Sequence, residues 1–271
     1  MKNLKSLVLG MLFVGFVVMS SCDENGDFLL FSIQNDKDLG EQVKAEIAGQ
    51  PDIYPILDRS TYPQAYSIMD GMLSDILNSG EVTFSDEFDW ELFIIDDDQT
   101  LNAFATPGGK IYVYTGLVYF LDHADDLMGV MGHEVAHADQ RHSSKQLQRV
   151  YGISVLLEVI AGGQSELTQQ ILGSLVGVGA LSFSRDAETE ADDFSVTYLS
   201  QTTYACNGAA AFFQKLIDRD AAGDTPEFLS THPAAQSRVE DINNMAAALG
   251  CNTNLRDSDR SELQSLKDVL P

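Results

Sequence analysis

His133 and His137 stand four residues apart in the stretch MGHEVAHADQRH, and Glu134 follows directly on the first of them. Positions four apart on a helix share a face, so both imidazoles can converge on one cation, with Glu134 about 100° round from His133. This arrangement has a definite chemistry. Two neutral imidazoles hold Zn²⁺ and leave its Lewis acidity intact. The ion brings the pKa of a water down to about 7, and a neighbouring carboxylate takes the proton as that water attacks a carbonyl. His133 and His137 are therefore the expected metal ligands, for one Zn²⁺ per chain, and Glu134 is the expected base.

A catalytic zinc takes a third protein ligand. His142 lies nine residues after His133, which is half a turn away if Gln140 and Arg141 continue the helix. It also lacks the glycine and the ten-residue spacing of a metzincin third histidine. His142 reads as a helix-end residue or a support for a ligand, not as a ligand. The other source is SRDAETEADDF, where Glu188, Ala191 and Asp192 share one helical face. One carboxylate there is placed to ligate, and the other to accept the free N–H of a ligand histidine and orient its ring. The same spacing also describes a solvated acidic face, and spacing alone leaves Glu188 and Glu190 level.

The motif HEVAH followed by SRDAETEAD resembles the HtpX-like and CAAX-prenyl-protease-like zinc endopeptidases, which are gluzincins. The resemblance extends in order through DLGEQV, NAFATPGGKIYVYTGL and STHPAAQSRV, over roughly residues 35–250. It implies Glu188 as the third ligand, with Asp192 behind a ligand histidine. It also brings His232 near the zinc, either stabilising an oxyanion or occupying the water's position in a latent state; a cap or core histidine beside Pro233 is the plainer alternative. Arg238 is implied as an ion-pair partner near the site. A strand over 101–105 would offer an open edge on which an extended peptide pairs by main-chain hydrogen bonds, with Asn102 and Ala103 the positions of interest. The membrane branch of the family carries spanning helices that this chain lacks. The likeness is thus to the soluble periplasmic BepA-like branch, without its C-terminal helical repeats.

The elements that must position these residues follow from pattern. Helices are expected from Asp36 as a cap onward, over 62–80 with Ile68, Met72, Leu73 and Ile76 on one stripe, and over 122–142 with Asp122 as its cap. Strands are expected at 90–97, 101–105 and 110–115, the last two around Pro107-Gly108-Gly109. Two apolar, glycine-rich stretches over 152–163 and 169–183 read as a buried helical hairpin, being too short or too interrupted to cross a bilayer. Further helices are expected from Ser184, from Asn207, and from His232 to Gly250, with Pro233 in the first turn of the last. The fold class is α+β: a mostly helical zincin with a small sheet.

The 271 residues suffice for one domain plus appendages. A formal charge of −25 repels nucleic-acid phosphates and anionic headgroups, so neither is an expected partner. Residues 1–21 read as a signal peptide, with Lys2 and Lys5, an apolar core and small residues before Cys22. A mature chain opening on cysteine resembles a bacterial lipoprotein, although MSSC has Met19 where leucine is usual; a plain secretory signal is the alternative. Without Lys2 and Lys5 there remain 14 basic against 41 acidic residues, a net of −27. The expected division is signal 1–21, linker 22–34 after lipidated Cys22, metallopeptidase domain 35–252, and a loosely held polar tail 253–271. Cys206 and Cys251 remain as an even pair in an oxidising compartment and are expected to bridge, free thiols being the alternative.

The expected protein is a zinc endopeptidase on the periplasmic side of the envelope. It is held by its lipid, on the outer membrane rather than the inner, and takes extended polypeptides from misfolded or misassembled proteins. Two rivals differ in kind: a non-catalytic zinc-bearing lipoprotein with a chaperone or assembly role, and an exopeptidase. Sequence leaves the oligomeric state open.

Overall fold

The computed structural model describes residues 29–163, 165–176, 182–221, 223, 228–232, 236–256 and 258–271. The signal segment, Cys22 and Pro233 lie outside the described residues.

A three-stranded sheet sits at the centre: β1 (Glu91–Ile95), β2 (Ala103–Thr106) and β3 (Lys110–Tyr114), in the order β1-β3-β2. The β1–β3 pair is parallel and the β2–β3 pair antiparallel, joined through the Pro107-Gly108-Gly109 turn. Gly108 has φ +76°, and a Cβ there would stand 2.8 Å from Lys37 Cα, so only glycine fits. β2 begins two residues later than expected. Both faces of the sheet are covered, which is why its strands read as nearly continuous apolar runs. Leu92, Ile94, Ile111 and Val113 point into one core, and Phe93, Ile95, Phe104, Tyr112 and Tyr114 into another. On the second face Tyr112 stacks between Phe93 and Phe104, with centroids 4.8 and 4.7 Å away.

The larger core is built by α2 (Pro63–Leu77), α3 (Thr115–Phe120), α4 (Ala124–Asp139), α8 (Arg185–Leu199), α9 (Gly208–Ala221), α10 (Phe228–Thr231), α11 (Gln236–Leu249) and α12 (Asp259–Lys267). α2 starts on Pro63, whose missing N–H costs nothing at a first turn, and buries Met69 where Ile68 was expected. α4 lies at the centre and packs on α8, α9 and β2. Gly129 permits this, since a Cβ there would sit 2.0 Å from the Ala209 nitrogen of α9. The cap of α4 is His123, not Asp122. The His123 N–H donates to Asp126 at 3.2 Å, while the Asp122 carboxylate is drawn outward to Lys215 Nζ at 2.9 Å.

The smaller core is closed by α1 (Ile33–Ala48), α5 (His142–Tyr151), α6 (Ile153–Ile160) and α7 (Glu166–Gly173). The cap of α1 is Ser32, accepting from the Asn35 N–H at 3.1 Å; Asp36 lies inside the helix and is buried. Its carboxylate accepts from Ser144 Oγ and Arg141 Nε, so tertiary partners displace the local capping role. The expected hairpin is two short amphipathic helices that bury Leu156, Val159, Ile171 and Leu172 and expose Leu157 and Leu167. Among the described residues, no helix is long and apolar enough to cross a membrane.

Two boundaries move. Phe31 is buried, so the domain takes in part of the expected 22–34 linker. The C-terminal stretch is not loosely held: α12 docks Leu263 and Leu266, and Leu270 follows them into the core. Asp259 accepts from the Asp125 N–H at 2.8 Å and pairs with His123. Three leucines on one stripe outweigh a composition that otherwise looks polar. Cys206 and Cys251 are joined by a disulfide, tying the start of α9 to the end of α11.

Candidate metal centre

α4 carries His133, Glu134 and His137, all buried, on the side that faces α8 and β2. His133 Nε2 and His137 Nε2 converge at 2.9 Å. Glu188 of α8 closes the group, with Oε2 3.5 Å from His133 Nε2 and Oε1 3.6 Å from His137 Nε2. Ligand atoms of His133, His137, Glu188 and His232 all fall within 4.8 Å of one another. Donors bonded at about 2.0–2.1 Å to a tetrahedral zinc lie about 3.3 Å apart, so two imidazoles and a carboxylate fit a divalent ion. A further sign is Glu134, whose two buried oxygens make no well-formed hydrogen bond; among the described residues only His232 Nε2, 3.5 Å from Oε1, and the Ala105 backbone face them, and a buried carboxylate so weakly met is expensive unless an ion or a water joins it.

The outer side of each histidine is also engaged. His133 Nδ1 lies 2.9 Å from Asp192 Oδ1. Arg238 of α11 holds that carboxylate by two hydrogen bonds, Nε to Oδ2 at 2.7 Å and the second guanidinium nitrogen to Oδ1 at 2.8 Å. It also reaches Glu188 Oε2 at 2.8 Å and lies over the Phe213 ring at 3.9 Å. Asp192 and Arg238 thus both lie directly beside the group. Glu190, the rival of Glu188, points away from the group and meets His142 Nε2 at 2.9 Å.

Electrostatics follow from burial and these partners. Burial pushes the Glu134 carboxyl up to about 7, with His232 opposing. Burial works against ionising Glu188, but His232, His133 and His137 outweigh it and hold Glu188 well below the usual carboxylate range. His137 is pushed well down, first by burial and then by His133, so it is a neutral donor. For His133 burial opposes the charged form, but Asp192 and Glu188 more than offset it and raise the pKa.

His232, just after α10, has Nδ1 3.0 Å from Glu188 Oε1 and Nε2 3.5 Å from Glu134 Oε1, and its ring stacks on Phe228 at 4.4 Å. It stands as a fourth donor over the group. The cavity at the site measures about 20 Å³ and is lined by Phe104, Ala105, Glu134, Leu175, Phe183 and His232, among others. A volume of that size holds a water, not a peptide.

The β2 edge needs one correction. The Asn102 carbonyl accepts from the Tyr114 N–H at 3.1 Å, and β2 pairs β3 as Ala103–Val113 and Phe104–Tyr112. In an antiparallel ladder alternate residues address the partner strand. Asn102 and Phe104 therefore face β3, and the outward main-chain groups belong to Ala103 and Ala105. The Asn102 side chain is buried without a hydrogen-bond partner.

The helix break after Asp139 was not foreseen. Arg141 has φ +59°, and α5 restarts at His142 in a new direction. Its guanidinium donates to Asp36 and to the Phe31 carbonyl. Phe183, also unforeseen, stacks on His137 with centroids 4.1 Å apart. Neither contact has a local sequence signal, since each partner comes from a distant element.

Two helix-borne histidines one turn apart and a carboxylate from a second helix define the donor set of an HExxH metallopeptidase. Residues 69–246 match peptidase family M48, and the chain belongs to that family. The chain is similar to the mitochondrial metalloendopeptidase OMA1 of Schizosaccharomyces pombe, 35% identical over 56% of this chain and 45% of that protein. It is similar to the beta-barrel assembly-enhancing protease of Escherichia coli, 26% identical over 90% of this chain and 52% of the other. The metalloprotease YcaL of Escherichia coli is 31% identical over 55% of this chain and 59% of its own length. The chain spans about half the length of the curated relatives it matches.

Proposed function

We propose that this chain is a zinc-dependent endopeptidase that cleaves extended segments of misfolded or misassembled envelope proteins. The observation that carries the reading is the convergence of His133, His137 and Glu188 with the buried Glu134 carboxylate beside them. Zinc, when bound by these three residues, supplies Lewis acidity and a water acidic enough to lose a proton near neutral pH. Glu134 takes that proton on a carboxylate oxygen and delivers it to the leaving amine. His232, with Nε2 facing Glu134, is placed to donate to an oxyanion or to hold the site closed. An extended substrate pairs with Ala103 and Ala105 on the outer side of β2.

A peptide needs more room than the closed cavity offers. That closure also favours a second reading, a zinc-bearing assembly factor without peptidase activity. Support for envelope substrates comes from the likeness to the beta-barrel assembly-enhancing protease of Escherichia coli, whose name ties that protein to beta-barrel assembly. The cysteine after the small residues at 20–21 supports anchoring by lipid at Cys22 on the periplasmic side of the envelope.

Incubating the zinc-loaded protein with casein, beside a Glu134→Gln variant, tests the proposal. Internal cuts, seen by mass spectrometry, that disappear in the variant and on chelation are expected. Absence of cleavage would leave the assembly-factor reading standing, and products trimmed only from the ends would mark an exopeptidase.

A further inference from the structure

We infer that His142 is the positioning residue for the ligand His137, and that Glu190 fixes His142 in turn; the inference rests on the zinc-site reading above. His142 Nδ1 lies 2.8 Å from His137 Nδ1, and His142 Nε2 lies 2.9 Å from Glu190 Oε2. Two ring nitrogens approach to that distance only with one proton between them. Offering Nε2 to a metal requires His137 to carry its proton on Nδ1, so His137 donates and His142 accepts. The proton of His142 then sits on Nε2, aimed at the Glu190 carboxylate. One chain of contacts thus fixes both tautomers and the orientation of the ligand ring.

The backbone is arranged to make this contact. On an unbroken helix, five residues would turn His142 about 140° away from His137. The left-handed Arg141 breaks the helix between them. That conformation costs about 1–2 kcal/mol outside glycine. The Arg141 side chain is anchored on Asp36 and the Phe31 carbonyl, which holds the turn. His142 is buried, so no water replaces it behind His137. Phe183 stacks on the face of His137 and holds the plane of that ring.

Zinc affinity, read by competition with a chromophoric chelator on the full mature chain, tests the inference without using activity. His142→Phe keeps the bulk and removes the acceptor, and its zinc Kd is expected to rise about 10–100-fold. His142→Gln places its carbonyl away from the Nδ1 position and is expected to lose similarly; it serves if the phenylalanine variant does not fold. His142→Asn sets Oδ1 where Nδ1 was and is expected to recover most of the loss. Melting curves of the metal-free proteins verify that the variants are folded. Wild-type affinity in His142→Phe or His142→Gln overturns the inference, and so does an asparagine variant as weak as those two. A wild-type chain that binds no zinc overturns instead the site reading on which the inference stands.

Discussion

The two histidines of α4 are braced by different means. Behind His133 stands a buried charge, Asp192, neutralised by the equally buried Arg238 where α8 and α11 meet α4. Behind His137 stands a neutral imidazole, with the charge deferred to Glu190, whose side chain is 29% exposed. The first arm is part of the core, so its loss should disturb the fold and the metal together. The second hangs on a kink between α4 and α5, so its loss should show mainly in the metal.

Asp192→Ala should have the largest effect. It leaves Arg238 with only part of its counter-charge and removes the carboxylate behind His133. Breaking a buried pair costs about 3–5 kcal/mol, which for a domain of this size lowers Tm on the order of 10 °C. Calorimetry on the metal-free variant reads this, and a drop no larger than that of His142→Phe would dissolve the contrast. Arg238→Met comes next. Glu188 and Asp192 would then share a buried space without a cation, and urea unfolding of the metal-free protein should show a loss of about 3 kcal/mol.

Much of this centre was legible in the sequence, for a physical reason. Ligands four apart on one helix are a local pattern that the helix repeat turns directly into geometry, whereas Glu188 with Asp192 on another was singled out by the family resemblance, since spacing left Glu188 and Glu190 level. The pairing of Cys206 with Cys251 was expected once Cys22 was set aside as a lipid site in an oxidising compartment, and the two are bridged. What could not be read depends on distant contacts: Arg141 turning left-handed because Asp36 and Phe31 receive it, Phe183 lying on His137, and the docking of Leu263 and Leu266 of α12 with Leu270 after it. Glu190 shows the limit most clearly. It was weighed against Glu188 as a ligand, and only the helix break at Arg141 brings His142 round to be its partner.

Smaller effects sharpen the comparison. Glu190→Gln still accepts from His142, so its zinc Kd should shift by less than tenfold, and its stability should stay within about 0.5 kcal/mol of wild type. A collapse of either would mean that the second arm is as structural as the first. Glu134 supplies a pH test in the metal-free protein. Its carboxyl titrates near 7 when folded against 4.5 for a free glutamate, so the folded state holds the extra proton between those values. Stability therefore falls as pH rises through that window. Glu134→Gln should be more stable than wild type above pH 7, by a margin that vanishes below 4.5. Equal melting temperatures for the two proteins across that range would contradict the assignment.

Anomalous diffraction at the zinc edge, on crystals of the zinc-loaded chain, tests the central claim most directly. The account predicts a single zinc about 2.0–2.2 Å from His133 Nε2, His137 Nε2 and a Glu188 oxygen, with Asp192 and His142 behind the two rings. A zinc bound through His137 Nδ1, or ligated by His142 or Glu190, would contradict it.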